Sequence, residues 1–297
     1  MNDNKGAVGV IGLGIMGGAI ARNLAAAGWR VVGYDLDAAR CREAAAAGVT
    51  IAADAAAVAR EAATILISLP KPAALIATAQ AIADAGLPRR IVAELSTFAL
   101  DDKASAEPIL READHVLLDC PLSGTGAQAK VKDLVVYASG DAQSINALQP
   151  LFADFSRAAH DVGAFGNGMR MKCVANLLVA IHNVAAAEAL VLGMKAGLDP
   201  HQVLKLASAG AGNSRILELR GPMMAANKYD GENLSATITT FQKDMAIIGD
   251  FAQSIGAPTP LFSATEALYN AAVSTGHSGH DTAAVCAVLE SMAGIKR

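Results

Sequence analysis

A chain of 297 residues, at about 150 residues per domain, predicts two domains, each large enough to bury a core without disulfide or metal staples. Hydrophobic residues make up 53% and charged ones 18%, with aromatics only 4%, so burial rests on Ala, Val, Leu and Ile and a disordered chain is excluded. A formal net charge of −4 without any long Lys/Arg run lacks the electrostatic footprint of a nucleic-acid or anionic-membrane binder, which leaves small-molecule chemistry.

Taken from the start, Met1-Asn2-Asp3-Asn4-Lys5 lacks the basic segment, apolar core and cleavage site of a secretory leader. From residue 7 to about 120, short β-rich apolar runs alternate with Ala-rich amphipathic stretches, the rhythm of repeated β-α units. Strands are predicted at Ala7–Ile11, Arg30–Tyr34, Thr64–Leu69, Arg90–Leu95 and Val116–Asp119. Helices are predicted near Met16–Ala27, Ala38–Ala46, Pro72–Asp84 and Asp101–Ala113. Right-handed crossovers then imply an α/β fold, a doubly wound parallel sheet with its ligand crevice at the C-terminal strand ends.

After Gly168 the rhythm changes. Met169–Lys195 has no Pro, and no Gly before Gly193, and reads as one long helix. Pro200, Gly210-Ala211-Gly212, Gly221-Pro222 and Gly256 to Pro260 punctuate further helices, so the second half is predicted to be all-α. The domains are placed at 1–165 and 166–297. No run of about 18 purely apolar residues occurs. Cys41, Cys120, Cys173 and Cys286 are far apart and make no C-x-x-C pair, so reduced thiols and a cytoplasmic location are expected, with no metal site.

Gly12-x-Gly14-x-x-Gly17 follows the first strand and opens the first helix. In that context the first glycine permits a tight turn, the second lets backbone approach a pyrophosphate, the third allows helix-on-strand packing, and the helix N-terminus offers unpaired N–H groups. Gly12, Leu13, Gly14, Ile15, Met16 and Gly17 are therefore candidate cofactor contacts. Asp35 ends the second strand, where a carboxylate accepts from ribose hydroxyls and repels a 2′-phosphate. NAD is favoured and NADP disfavoured, with Arg40 and Arg42 nearby acting in the opposite sense. A Gly-rich turn without ligand remains the plain alternative.

With Asn23-Leu24 and Gly28 following that loop, the chain resembles the β-hydroxyacid dehydrogenase family over nearly its whole length. The resemblance also rests on Asp119-Cys120-Pro121-Leu122-Ser123-Gly124-Thr125, on Gly166-Asn167-Gly168-Met169-Arg170-Met171-Lys172 with Asn176, and on Phe241-Gln242-Lys243-Asp244. It departs from the family at Thr125, where a second Gly is usual, and at Ala175, where many members have Asn. The resemblance implies a Rossmann-type N-terminal domain, an all-α C-terminal domain, and hydride transfer between NAD and a small β-hydroxy acid such as 3-hydroxyisobutyrate, glycerate or threonate. It further implies Ser123, Gly124, Thr125 and Asn176 on the substrate, Leu69, Pro70, Ser96, Thr97 and Lys243 on the cofactor, and a homodimer or homotetramer.

Alcohol oxidation by hydride transfer needs a base for the hydroxyl proton. Lys172, on an apolar helix where desolvation favours the neutral amine, is the candidate. Asn176 lies one turn further on the same face, and Gly168 one turn earlier is expected to leave room for substrate. Ser123 Oγ with the N–H groups of Gly124 and Thr125 is expected to form a small anion-binding turn. Two readings compete with this one: an imine-reductase-like NADP enzyme, and a non-catalytic dinucleotide-binding protein.

Overall fold

The computed structural model describes residues 5–230 and 236–297; residues 1–4, which carry most of the leader reading, lie outside them. The first stretch alternates strand and helix: β1 Ala7–Ile11, α1 Ile15–Ala26, β2 Arg30–Tyr34, α2 Ala38–Ala46, β3 Thr50–Ile51, α3 Ala55–Glu61, β4 Thr64–Ile67, α4 Pro72–Ala83, β5 Ile91–Glu94, α5 Leu100–Glu112 and β6 Val116–Asp119. All neighbouring strands pair parallel in the order β3-β2-β1-β4-β5-β6. The order reverses between β1 and β4, so the strand ends there leave a crevice.

The sheet is buried on both faces because its strands carry apolar residues at both parities. Val10, Leu66, Ala93 and Leu118 pack on one side with Ile20 and Leu24 of α1. Ile65, Ile67, Val92 and Leu117 pack on the other with Val58, Leu75, Ile82 and Leu110 of α3 to α5. Each fully buried Leu or Ile contributes about 1.5–3 kcal/mol relative to exposure.

Predicted elements differ from these at ends and gaps. The strand expected over Thr64–Leu69 stops at Ile67, because the Leu69 N–H turns to the Ser96 side chain at 2.9 Å instead of a ladder partner. β3 and α3 escaped prediction, being too short for a clear period. So did a second sheet in the segment after β6, made of β7 Leu122–Ser123, β8 Val135–Ala138 and β9 Ala158–Asp161, with α6 Gly126–Lys130 and α7 Ala142–Ala153 between them. β8 pairs antiparallel with β7 and parallel with β9. Val136, Ala138, Leu148 and Phe152 join the α1-side core.

The described residues of the remainder are helical, as expected: α8 Asn167–Lys195, α9 Pro200–Ser208, α10 Arg215–Ala226, α11 Ile238–Ser254, α12 Pro260–Ser274, a 3₁₀ turn Thr282–Ala284 and α13 Val285–Met292. The chain divides into compact units Met1–Lys172 and Cys173–Arg297, so the division falls inside α8 and not ahead of it. By length and composition α8 is apolar enough to cross a membrane. Ala180, Ala187 and Leu190 are nonetheless buried in protein, and Asn183 Nδ2 donates to Tyr269 Oη at 3.0 Å and to the Thr282 carbonyl at 2.7 Å. The four cysteines are free thiols.

Candidate functional site

The glycine loop is shaped by close backbone approach. Gly12 has φ 89° and donates its N–H to the Tyr34 carbonyl at 2.8 Å, and a Cβ added there would overlap the Ser68 carbonyl. Helix α1 then starts with Gly14 as N-cap, no side-chain cap and no acid in its first turn. By contrast α2, α3, α7 and α9 are capped by Asp37, Asp54, Asp141 and Asp199. The first N–H groups of α1 therefore have no competing side-chain acceptor, and the residues present fit a pyrophosphate. Leu13 is buried, Met16 half-buried and Ile15 exposed.

Asp35 sits at the end of β2 as expected and is already engaged. Its Oδ2 accepts the Leu13 N–H at 2.7 Å and its Oδ1 the Asp37 N–H at 2.9 Å. A carboxylate offers about four acceptor positions, so ribose hydroxyls still find room on it. Arg40 stands 3.8 Å from Asp35 Oδ2 and 3.6 Å from Asp37 Oδ2.

Leu69 and Pro70 follow β4, and Ser96 and Thr97 follow β5. These strands are neighbours in register, and the Leu69 N–H donating to Ser96 Oγ ties the two loops directly. Ser96 in turn donates its N–H to Glu94 Oε1 at 2.8 Å.

The segment after Ser123 packs along α1: a Cβ at Gly126 would overlap Ile15 Cγ2 at the start of the helix, and Asn23 Nδ2 in its last turn donates to the Ala129 carbonyl at 2.8 Å. Ser123 and Gly124 are half-buried. The expected anion turn needs one correction. The Thr125 N–H donates to Gln128 Oε1 at 3.1 Å while Thr125 Oγ1 accepts the Gln128 N–H at 3.3 Å, a reciprocal cap on α6. Its N–H is thereby used within the chain, so Ser123 and Gly124 are the remaining donors of that turn.

A second correction concerns Gly168. A Cβ there would lie 2.6 Å from the Asp119 carbonyl oxygen and 2.8 Å from Pro121 Cδ. The glycine therefore makes room for the chain's own backbone, and it brings α8 against the end of β6, four residues before Ser123. Gly168 and Met169 donate their N–H groups to Ser139 Oγ at 2.9 Å and Asp119 Oδ2 at 2.8 Å. Lys172 follows within the next turn and is 7% exposed.

Asn176, one turn beyond Lys172 on α8, is 6% exposed. In the C-terminal unit its Nδ2 donates to Asp244 Oδ2 at 3.0 Å, while Lys243 Nζ lies 3.2 Å from Asp244 Oδ1. One carboxylate thus holds two of the expected site residues together. Asp244 was passed over in sequence, although it stands inside the Phe241-Gln242-Lys243-Asp244 motif. Lys243 itself is exposed. Cys120, three residues before Ser123, is not poised as a nucleophile: burial and the adjacent Asp119 push its thiol far up.

The chain is similar to known proteins over most of its length. Residues 7–175 match the NAD binding domain of 6-phosphogluconate dehydrogenase. Residues 166–289 match a model described as the NAD-binding domain of NADP-dependent 3-hydroxyisobutyrate dehydrogenase. The chain is 31% identical to L-threonate dehydrogenase of Cupriavidus necator over 286 residues, 95% of each chain. It is 28% identical to mitochondrial 3-hydroxyisobutyrate dehydrogenase of Rattus norvegicus over 95% of this chain and 86% of that one. The crystal structure of 3-hydroxyisobutyrate dehydrogenase from Salmonella typhimurium superposes with a TM-score of 0.84 at 27% identity, covering 95% and 99% of the two chains. With matching domain models along most of its length and the glycine loop in its expected place, the chain belongs to the β-hydroxyacid dehydrogenase family of NAD(P)-dependent oxidoreductases.

Proposed function

We propose that the protein transfers a hydride between NAD, in preference to NADP, and a small β-hydroxy acid, with Lys172 as general acid and base. The observation that carries this reading is the pair Lys172 and Asn176, both more than nine-tenths buried, one turn apart on α8, with the Asn176 amide fixed by Asp244. Buried polar side chains with no packing purpose cost stability, so their presence together favours a site.

The first turn of α1 holds the pyrophosphate and Asp35 the adenosine ribose, while Leu69, Pro70, Ser96 and Thr97 line the adenosine and nicotinamide-ribose portions. The bound cofactor supplies the hydride acceptor or donor. Ser123 Oγ and the Gly124 N–H hold the substrate carboxylate, and Asn176 orients the reacting oxygen. In oxidation the neutral Lys172 amine takes the hydroxyl proton at Nζ; in reduction the ammonium returns it.

Preference for NAD rests on Asp35 and Asp37 at the end of β2, where a 2′-phosphate meets two carboxylates, with Arg40 already shared between them. Association of copies into a homodimer or homotetramer belongs to the same proposal. It is supported by exposed Met171, Val174 and Leu178 along α8, and sedimentation of the purified protein tests it. The decisive experiment is steady-state kinetics with NAD and NADP across 3-hydroxyisobutyrate, glycerate, threonate and serine. Turnover of none of these acids with either cofactor would overturn the reading.

A further inference from the structure

Glu94 and Asp119 end adjacent parallel strands and are register partners across β5 and β6. Both are fully buried. Two carboxylates side by side repel each other, and each is costly away from water unless paired. Lys103, from the start of α5 and 1% exposed, reaches over that face of the sheet. Its Nζ lies 2.7 Å from Glu94 Oε2 and 2.7 Å from Asp119 Oδ1. Burial opposes the charge on Lys103, but the two carboxylates outweigh it and hold its pKa above the ordinary lysine value.

The other oxygen of each carboxylate leads to the candidate site. Glu94 Oε1 accepts the Ser96 N–H at 2.8 Å, and Ser96 Oγ accepts the Leu69 N–H at 2.9 Å. Asp119 Oδ2 accepts the Met169 N–H at 2.8 Å and the Ser139 hydroxyl at 3.2 Å. A continuous buried polar chain therefore runs from the loops after β4 and β5 to the first turn of α8, three residues before Lys172. Buried ion pairs are poor stabilisers compared with apolar packing of the same volume. Their use is in fixing geometry.

We propose that Lys103 is a positioning residue that clamps the Ser96 loop and the Lys172-bearing turn of α8 at one fixed separation by bridging Glu94 and Asp119. The proposal rests on Lys172 being the proton-transfer group and on Ser96 lining the cofactor.

The test compares Lys103→Met and the charge-free triple variant Lys103→Met/Glu94→Gln/Asp119→Asn with the wild type. Loss of the bridge is expected to lower kcat on the order of 10²-fold, the usual effect of an ångström-scale misplacement, while KM for cofactor and acid stays within about threefold. Amide hydrogen exchange at Leu69 and at Gly168 and Met169 should accelerate together, ahead of β8 and β9. If Lys103→Met does not fold, the triple variant, which buries no unpaired charge, decides. A folded variant with wild-type kcat, or one that loses only KM, overturns the proposal. Lys172→Ala measured alongside separates the two claims: unchanged turnover there defeats the proton-transfer reading, and the paired exchange rates still test the bridge.

Discussion

The Asn176 amide and the Asp244 carboxylate meet at 3.0 Å, so a residue on α8 takes its orientation from α11, and Lys243 shares the same carboxylate. An amide has two nearly isosteric ends, and a fixed acceptor decides which end it presents. With Nδ2 on Asp244, Oδ1 is the end of Asn176 left for the substrate role proposed for it.

Replacing Asp244 by Asn removes the charge and keeps an acceptor of similar size. A hydrogen bond to a charged group is worth about 1.5–3 kcal/mol and a neutral one about 0.5–1.5 kcal/mol, and about 1.4 kcal/mol is tenfold in rate. Asp244→Asn should therefore lower kcat severalfold while the melting temperature moves little. Unchanged kcat in a folded variant would remove Asp244 from the orientation of Asn176.

Asp35 carries two tasks, since it fixes the Leu13 N–H in the glycine loop and stands where the adenosine ribose is expected. Asp35→Ala should raise KM for NAD and narrow the preference over NADP, because the repelling carboxylate is gone while Arg40 remains. The ratio of kcat/KM for the two cofactors is the measurement. A wild-type enzyme that already prefers NADP would defeat the argument.

Legibility from sequence followed locality. The glycine loop was readable because its spacing is itself the requirement for backbone approach, and β1, β2, β6 and α2 were bounded to the residue because each is a clean apolar or capped segment. The sheet formed by β7, β8 and β9 was not, since strands of two to four residues carry too little periodicity to separate from loop. Lys103 follows Asp101-Asp102 and reads as part of a solvated helix start; only the register that sets Glu94 beside Asp119 creates a buried place for it. Thr125 looked like an anion-turn donor because its bond to Gln128 depends on α6, which the sequence did not announce. Gly168 was read as room for substrate, whereas the Asp119 carbonyl fills that room.

With Thr125 engaged in capping, Ser123 is the side-chain donor proposed for the substrate carboxylate. Ser123→Ala should raise KM for the hydroxy acid more than for the cofactor, by the equivalent of about 1.5–3 kcal/mol for one charge-assisted hydrogen bond. Equal KM values for wild type and variant on the same acid would place the carboxylate elsewhere.

Lys172 bears the heaviest demand, because the proposed chemistry has no other group assigned to the hydroxyl proton. A positioned base contributes about 10²–10⁴-fold, so Lys172→Ala should lose kcat on that scale. Cofactor binding should persist, since the glycine loop and Asp35 form their own hydrogen bonds within β1, β2 and α1. Lys172→Arg should not rescue, because a guanidinium stays protonated and cannot accept the proton. The sign of the pH dependence follows from the same role. Oxidation needs the neutral amine and should rise with pH through the lysine titration, whereas reduction needs the ammonium and should fall. Both limbs should flatten in Lys172→Ala. Measuring kcat in both directions across the titration separates this from a structural loss, which would lower the rate without changing the shape of either profile. A variant that retained the rising limb of oxidation would show that another group moves the proton, and the assignment of Lys172 would fail.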